Sequence, residues 1–159
     1  MPPSQLVNIL LTTKSKIPND KDETTPWSPQ DALIAMMVAI SVSDQNIKTL
    51  ELLSIERTVN HLPIFAHYDL DNLKIVSNTV FDLLSEEEGL DALFGLVTAA
   101  LPERLYETAY ALCCDLAATD GRLREEELRF LQETRYVLNI SRLNTAAIER
   151  GARARHMVL

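Results

Sequence analysis

An aspartate followed seven residues later by a glutamate occurs twice in this chain, 76 residues apart. The first copy is Asp44-Gln45-Asn46-Ile47-Lys48-Thr49-Leu50-Glu51, the second Asp120-Gly121-Arg122-Leu123-Arg124-Glu125-Glu126-Glu127. Each follows an apolar stretch with helical character. Sliding the chain on itself by 76 residues gives seven identities over residues 35–64: Ala35/Ala111, Asp44/Asp120, Glu51/Glu127, Leu52/Leu128, Thr58/Thr134, Leu62/Leu138 and Ile64/Ile140. Ile40/Leu116, Ile47/Leu123 and Ile55/Leu131 keep apolar character, and Asp31/Glu107 keeps an acid. Two amphipathic helices aligned by chance share leucines, but they do not readily keep a corner acid and its glutamate in step as well. The pattern predicts two units of helix, corner, helix, helix, joined by a further helix and related by a pseudo-two-fold axis.

The composition agrees with an all-α fold, a bundle of about seven helices. Four glycines in 159 residues are few for a sheet protein rich in tight turns. An apolar content of 47% argues against disorder, and the length suits one domain with a real core. No apolar run approaches the roughly 18 residues of a membrane span. Met1-Pro2-Pro3 does not open a basic and then apolar leader, which predicts no signal peptide. Cys113 and Cys114 are neighbours on a predicted helix, where they project about 100° apart. That suits neither a disulfide nor a two-cysteine metal clamp, so the pair reads as a small core residue beside a half-buried one in a reduced, cytoplasmic protein.

The net charge of −8 is unevenly spread. Residues 28–139 hold 19 acids and 8 bases, whereas residues 140–159 hold four arginines and one glutamate. An acidic body does not favour nucleic acid; it favours cations and basic partners. On the last helix, Arg150, Arg153 and Arg155 read either as a solvated face or as a contact to an acidic partner or anionic membrane surface.

Residues 1–27 read as an N-terminal arm with a short helix at 4–13, a polar linker holding Pro18 and Pro26, and Trp27 covering the edge of the body. The domain occupies residues 28–159. Ser28, Pro29 and Asp31 give helix 1 a capping box, and its all-round apolar sequence predicts a central, buried helix. Helix 2 stops before Pro63, helix 3 spans about 70–84, and Ser85-Glu86-Glu87-Glu88 reads as a capping box opening helix 4. Helix 5 follows Pro102, helix 6 spans about 125–138 with Leu128, Leu131 and Leu138 inward, and Ser141 caps helix 7. His61, His67 and His156 lie in separate elements at no ligand spacing, so neither a histidine metal site nor a nucleophile–base pair is readable.

The corners carry the candidate chemistry. Against the twelve-residue calcium loop, Asp120, Gly121, Leu123 and Glu127 fall at positions 5, 6, 8 and 12. Positions 1 and 3 are then Leu116 and Ala118, or Ile40 and Val42 in the first copy, which carry no oxygen ligand. One corner is therefore half a loop. If the two corners meet, Asp120, Glu127, Asp44 and Glu51 form a repelling cluster that a hard divalent cation, Ca²⁺ or Mg²⁺ before Zn²⁺, would relieve. The competing reading is structural. Gly121 ends helix 5 in a left-handed conformation, Leu123 buries between helices, and Glu127 serves the N-terminus of helix 6.

Ala117-Ala118-Thr119-Asp120-Gly121, then Leu123 and Glu127, resembles the signature of the TerB-like tellurite-resistance and stress-response family. The resemblance covers about residues 28–157. It implies a helical bundle with an acidic surface that binds divalent metal. It further implies a cytoplasmic role beside membrane-associated and stress-response protein partners, without catalysis. Asp120 and Glu127 match the motif directly; Asp44 and Glu51 match less well because Gln45 replaces the glycine.

Overall fold

Ser28 starts the first helix by a reciprocal cap. Its hydroxyl accepts from the Asp31 N–H at 3.1 Å, and the Asp31 carboxylate accepts from the Ser28 N–H at 3.0 Å. Pro29 supplies the first helical position of α1 (Pro29–Ser41). In the structure, a computed structural model, residues 27–42, 49–119, 121 and 123–159 are described. The expected helix at 4–13 and linker at 14–26 lie outside them.

Six more helices follow: α2 (Thr49–His61), α3 (Asp71–Leu84), α4 (Gly89–Ala100), α5 (Tyr106–Ala117), α6 (Glu125–Val137) and α7 (Arg142–Arg155). Short 3₁₀ turns at Pro63–Phe65 and Glu103–Leu105 introduce the loop before α3 and the start of α5. The described residues contain no strand. Pro63 follows α2 as expected, because a proline disfavours helical backbone in the residue before it.

Every residue of α1 from Ala32 to Ser41 is buried. The helix packs against α2, α3, α4, α5 and α6. Leu105, just before α5, and the inward residues Ala109, Leu112, Cys113 and Leu116 on it are buried as their spacing predicts. This helix packs against α1, α2, α6 and α7. At the α1–α5 contact the Cys113 thiol reaches the Met36 carbonyl at 3.6 Å. Trp27 is buried at the edge of this core.

Polar contacts fasten the periphery. The Tyr68 hydroxyl donates to Asp31 Oδ1 at 2.6 Å, and Gln30 Nε2 donates to the Ile64 carbonyl at 2.8 Å, so the loop before α3 is tied to the start of α1. The buried Tyr110 of α5 donates its hydroxyl to Glu149 Oε1 of α7 at 2.5 Å. Arg135 of α6 donates to the same oxygen at 2.8 Å. Ser141 caps α7 as expected, its hydroxyl accepting from the Asn144 N–H at 3.2 Å.

Two expectations fail. Ser85 does not open α4. It ends α3, its hydroxyl donating to the Asp82 carbonyl at 2.7 Å, and Glu86, Glu87 and Glu88 are exposed in the turn that leads to Gly89. The turn is tight enough that a Cβ at position 89 would lie 1.6 Å from the Leu83 carbonyl oxygen. Leu128 and Leu123 do not bury; they are 45% and 49% exposed, whereas Leu131 and Leu138 of the same stripe are buried.

Two glycines of α4 should respond oppositely to alanine. Gly89→Ala should destabilise by roughly 1–3 kcal/mol, because the backbone must move to admit the new carbon. Gly95, whose Cβ position faces open space, should instead gain roughly 0.5–1 kcal/mol as alanine in a helix interior. Urea denaturation of the two variants checks both signs.

Candidate functional site

Glu51 and Glu127 are each the third residue of a helix, α2 and α6. The positive end of the helix dipole favours a carboxylate there by roughly 0.3–1 kcal/mol. The two side chains, 76 positions apart in sequence, converge on one guanidinium. Arg124 Nη2 lies 3.7 Å from Glu51 Oε1, and Arg124 Nε lies 3.4 Å from Glu127 Oε1. Glu127 is the one buried charged residue among the described residues, and Arg124 is half-buried. The structure thus brings Glu51 and Glu127 together. Asp44 and Asp120, the other two carboxylates of the expected cluster, lie outside the described residues.

Local folding explains why these side chains meet. Gly121 adopts φ +73°, the left-handed conformation expected after α5, and its N–H donates to the Ala118 carbonyl at 3.3 Å. Arg124 then stands at the N-cap of α6 in extended backbone, without a side-chain cap, three residues before Glu127. Helix α2 packs against α5 and α6 against α1, so the starts of α2 and α6 are carried by the same central pair. The matched threonines behave alike: Thr58 Oγ1 donates to the Ser54 carbonyl at 2.9 Å and Thr134 Oγ1 to the Phe130 carbonyl at 2.8 Å.

Chemically, the arrangement holds a positive group between two carboxylates from different helices. All its acceptors are oxygens, the donor type that hard divalent cations prefer. Among the described residues no three carboxylate, histidine or cysteine side chains are grouped to hold a metal ion. Sequence reasoning passed over Arg124. Its signal was a basic residue directly before an acidic first helical turn, at the i,i+3 spacing to Glu127.

The α7 arginines are not equivalent. Arg155 donates through Nε at 3.0 Å and Nη2 at 2.6 Å to Asp115 Oδ1. His156 Nε2 lies 3.5 Å from that oxygen. Arg150 and Arg153 are exposed. No helix among the described residues is long and apolar enough to cross a membrane.

Burial holds both cysteines as neutral thiols at neutral pH. Full burial raises the Cys113 thiol well above its ordinary value, and burial pushes the Cys114 thiol up to about 12. Tyr110 and Tyr68 are also raised, by burial first and then by their hydrogen bonds to Glu149 and Asp31.

Three measurements follow from this geometry. In the folded protein both thiols should resist iodoacetamide at pH 8 and react only in denaturant. All four groups keep their protons in the fold and lose them near 9.0 or 10.0 when unfolded. Unfolding therefore releases protons at alkaline pH, and stability should fall as the pH rises through that range. A double-mutant cycle on Glu51→Gln and Arg124→Ala should give a coupling of roughly 0.2–1 kcal/mol that shrinks with added salt. Compared with family models, with curated proteins and with solved structures, the chain matches none.

Proposed function

We propose that this chain is a non-catalytic, cytoplasmic stress-response module of the TerB-like kind, whose paired corners bind a divalent cation and whose surface engages protein partners. The observation that carries the reading is the convergence of Glu51 and Glu127 on Arg124. It is what a pair of corners meeting at one place requires, and separate structural caps do not require it. The neighbours of the two central helices support the same reading. α1 packs on α2, α3 and α6, and α5 packs on α6, α7 and α2, the pattern expected of two copies joined through α4. In this reading Asp120 and Glu127 hold the ion, Asp44 and Glu51 complete its surroundings, and the oxygen donors select Ca²⁺ or Mg²⁺. Arg124 is the resident cation that the ion displaces. Arg150 and Arg153 are the basic groups available to an acidic partner or membrane surface, since Arg155 is held by Asp115.

A second reading has its own observation. Arg124 already supplies positive charge to both glutamates, which suits a purely structural helical interaction domain with no metal.

Thermal and urea unfolding with Ca²⁺ or Mg²⁺, against sodium chloride of equal ionic strength, separates the two. A cation binding the native state at about a hundred times its dissociation constant should stabilise by roughly 2.7 kcal/mol. Asp120→Asn should abolish most of that gain and leave the metal-free protein equally stable or slightly more so. No shift above the ionic-strength control removes the metal and leaves the structural domain. A full shift in Asp120→Asn moves the binding elsewhere.

A further inference from the structure

A cleft of ≈ 500 Å³ lies between α5, α6 and α7 beside the C-terminus. That volume is in the range of small-molecule sites, roughly 300–1,000 Å³, which are lined mostly by apolar groups with a few polar ones to fix orientation. The buried Ala117, Leu131 and Ala152 form its inner wall, and the two leucines that fail to bury, Leu123 and Leu128, also line it. Their exposure is therefore one feature of a single apolar cleft.

The described charges along the cleft are of the opposite sign to the protein as a whole. Besides the neutral thiol of Cys114, its described ionisable lining consists of Arg135, Arg153, Glu149 and His156, net +1 with His neutral, in a chain of −8. Glu149 is occupied: its Oε1 accepts from both Tyr110 and Arg135. Arg135 is thereby committed, and His156 stands beside Asp115. Arg153 remains, with no carboxylate within ion-pair distance among the described residues. One guanidinium without a counter-charge matches one carboxylate, in bidentate geometry if the ligand supplies two oxygens. A phosphate dianion would call for a second uncommitted cation, which the described lining does not provide.

We propose that this cleft binds a free monocarboxylate with an acyl chain, the chain lying along Leu123, Leu128 and Leu131 and the carboxylate on Arg153. The proposal does not rest on the corner cation.

The test is calorimetric titration of the full chain with decanoate below its micelle concentration, with 1-decanol and decyltrimethylammonium as head-group controls. One saturable site is expected. Decanol and the cationic amphiphile should bind at least about tenfold more weakly, as should decanoate to Arg153→Glu, since each pairing lacks the charge-assisted hydrogen bond between carboxylate and guanidinium. Arg153 is exposed and has no ion-pair partner among the described residues, so Arg153→Glu should keep the wild-type circular dichroism and melting temperature. Leu128→Gln, also at an exposed position, should weaken all three amphiphiles together. Absence of saturable decanoate binding overturns the proposal, as does equal affinity in Arg153→Glu or for decanol. Sedimentation with phosphatidylglycerol vesicles in the absence of decanoate binding overturns it in favour of a membrane contact.

Discussion

A helix with no polar face must be surrounded, and α1 is such a helix. From Ala32 to Ser41 it exposes almost nothing. Its hydrogen-bonded backbone can sit in an apolar interior only because the helix satisfies itself and the Ser28 cap satisfies its start. Each fully buried Leu, Ile or Met contributes roughly 1.5–3 kcal/mol relative to exposure. Five of the six other helices supply the cover. Alanines at 32, 35 and 39 let those neighbours approach, and the bulkier Leu33, Met36, Met37 and Ile40 fill the space between.

The second central helix, α5, differs in one respect. It carries a buried hydroxyl, Tyr110, that an all-apolar helix lacks. A buried hydroxyl is tolerated when hydrogen-bonded, and Glu149 with Arg135 provides that bond across three helices. This network seats α7 against α5, and the same Glu149 and Arg135 line the cleft beneath the C-terminus. Packing and cleft are thus linked through one carboxylate: what anchors α7 also leaves Arg153 as the uncommitted cation among the described residues of that wall.

The corners follow from the same central pair. Because α1 and α5 pack together, the helices that succeed them also cross-pack, and the third residues of α2 and α6 arrive near one guanidinium. Burial of Glu127 there would be costly for an isolated carboxylate. A helix N-terminus and Arg124 both offset that cost, and a cation would do so more strongly. The stabilising and binding readings therefore draw on the same electrostatics, and they differ only in which positive group occupies the space.

The sequence by itself determined the helical class, the order of seven helices, the Ser28 and Ser141 caps, the left-handed Gly121 and the burial of α1 and of the inner face of α5. These are local matters: period, cap chemistry and backbone sterics act within a few residues, so one chain suffices to read them. Ser85 was misassigned because its hydroxyl could serve the end of one helix or the start of the next. The choice went to α3, with the Gly89 backbone pressed against Leu83. Leu128, on the apolar stripe of α6, and Leu123, just before that helix, are half exposed, because an apolar pattern reports which side a residue faces but not whether another helix fills that side. The meeting of Glu51 with Glu127 at Arg124, and of Tyr110 with Glu149, joins residues far apart in sequence. Those distances depend on how whole helices cross, which only the tertiary packing of α1 against α5 decides.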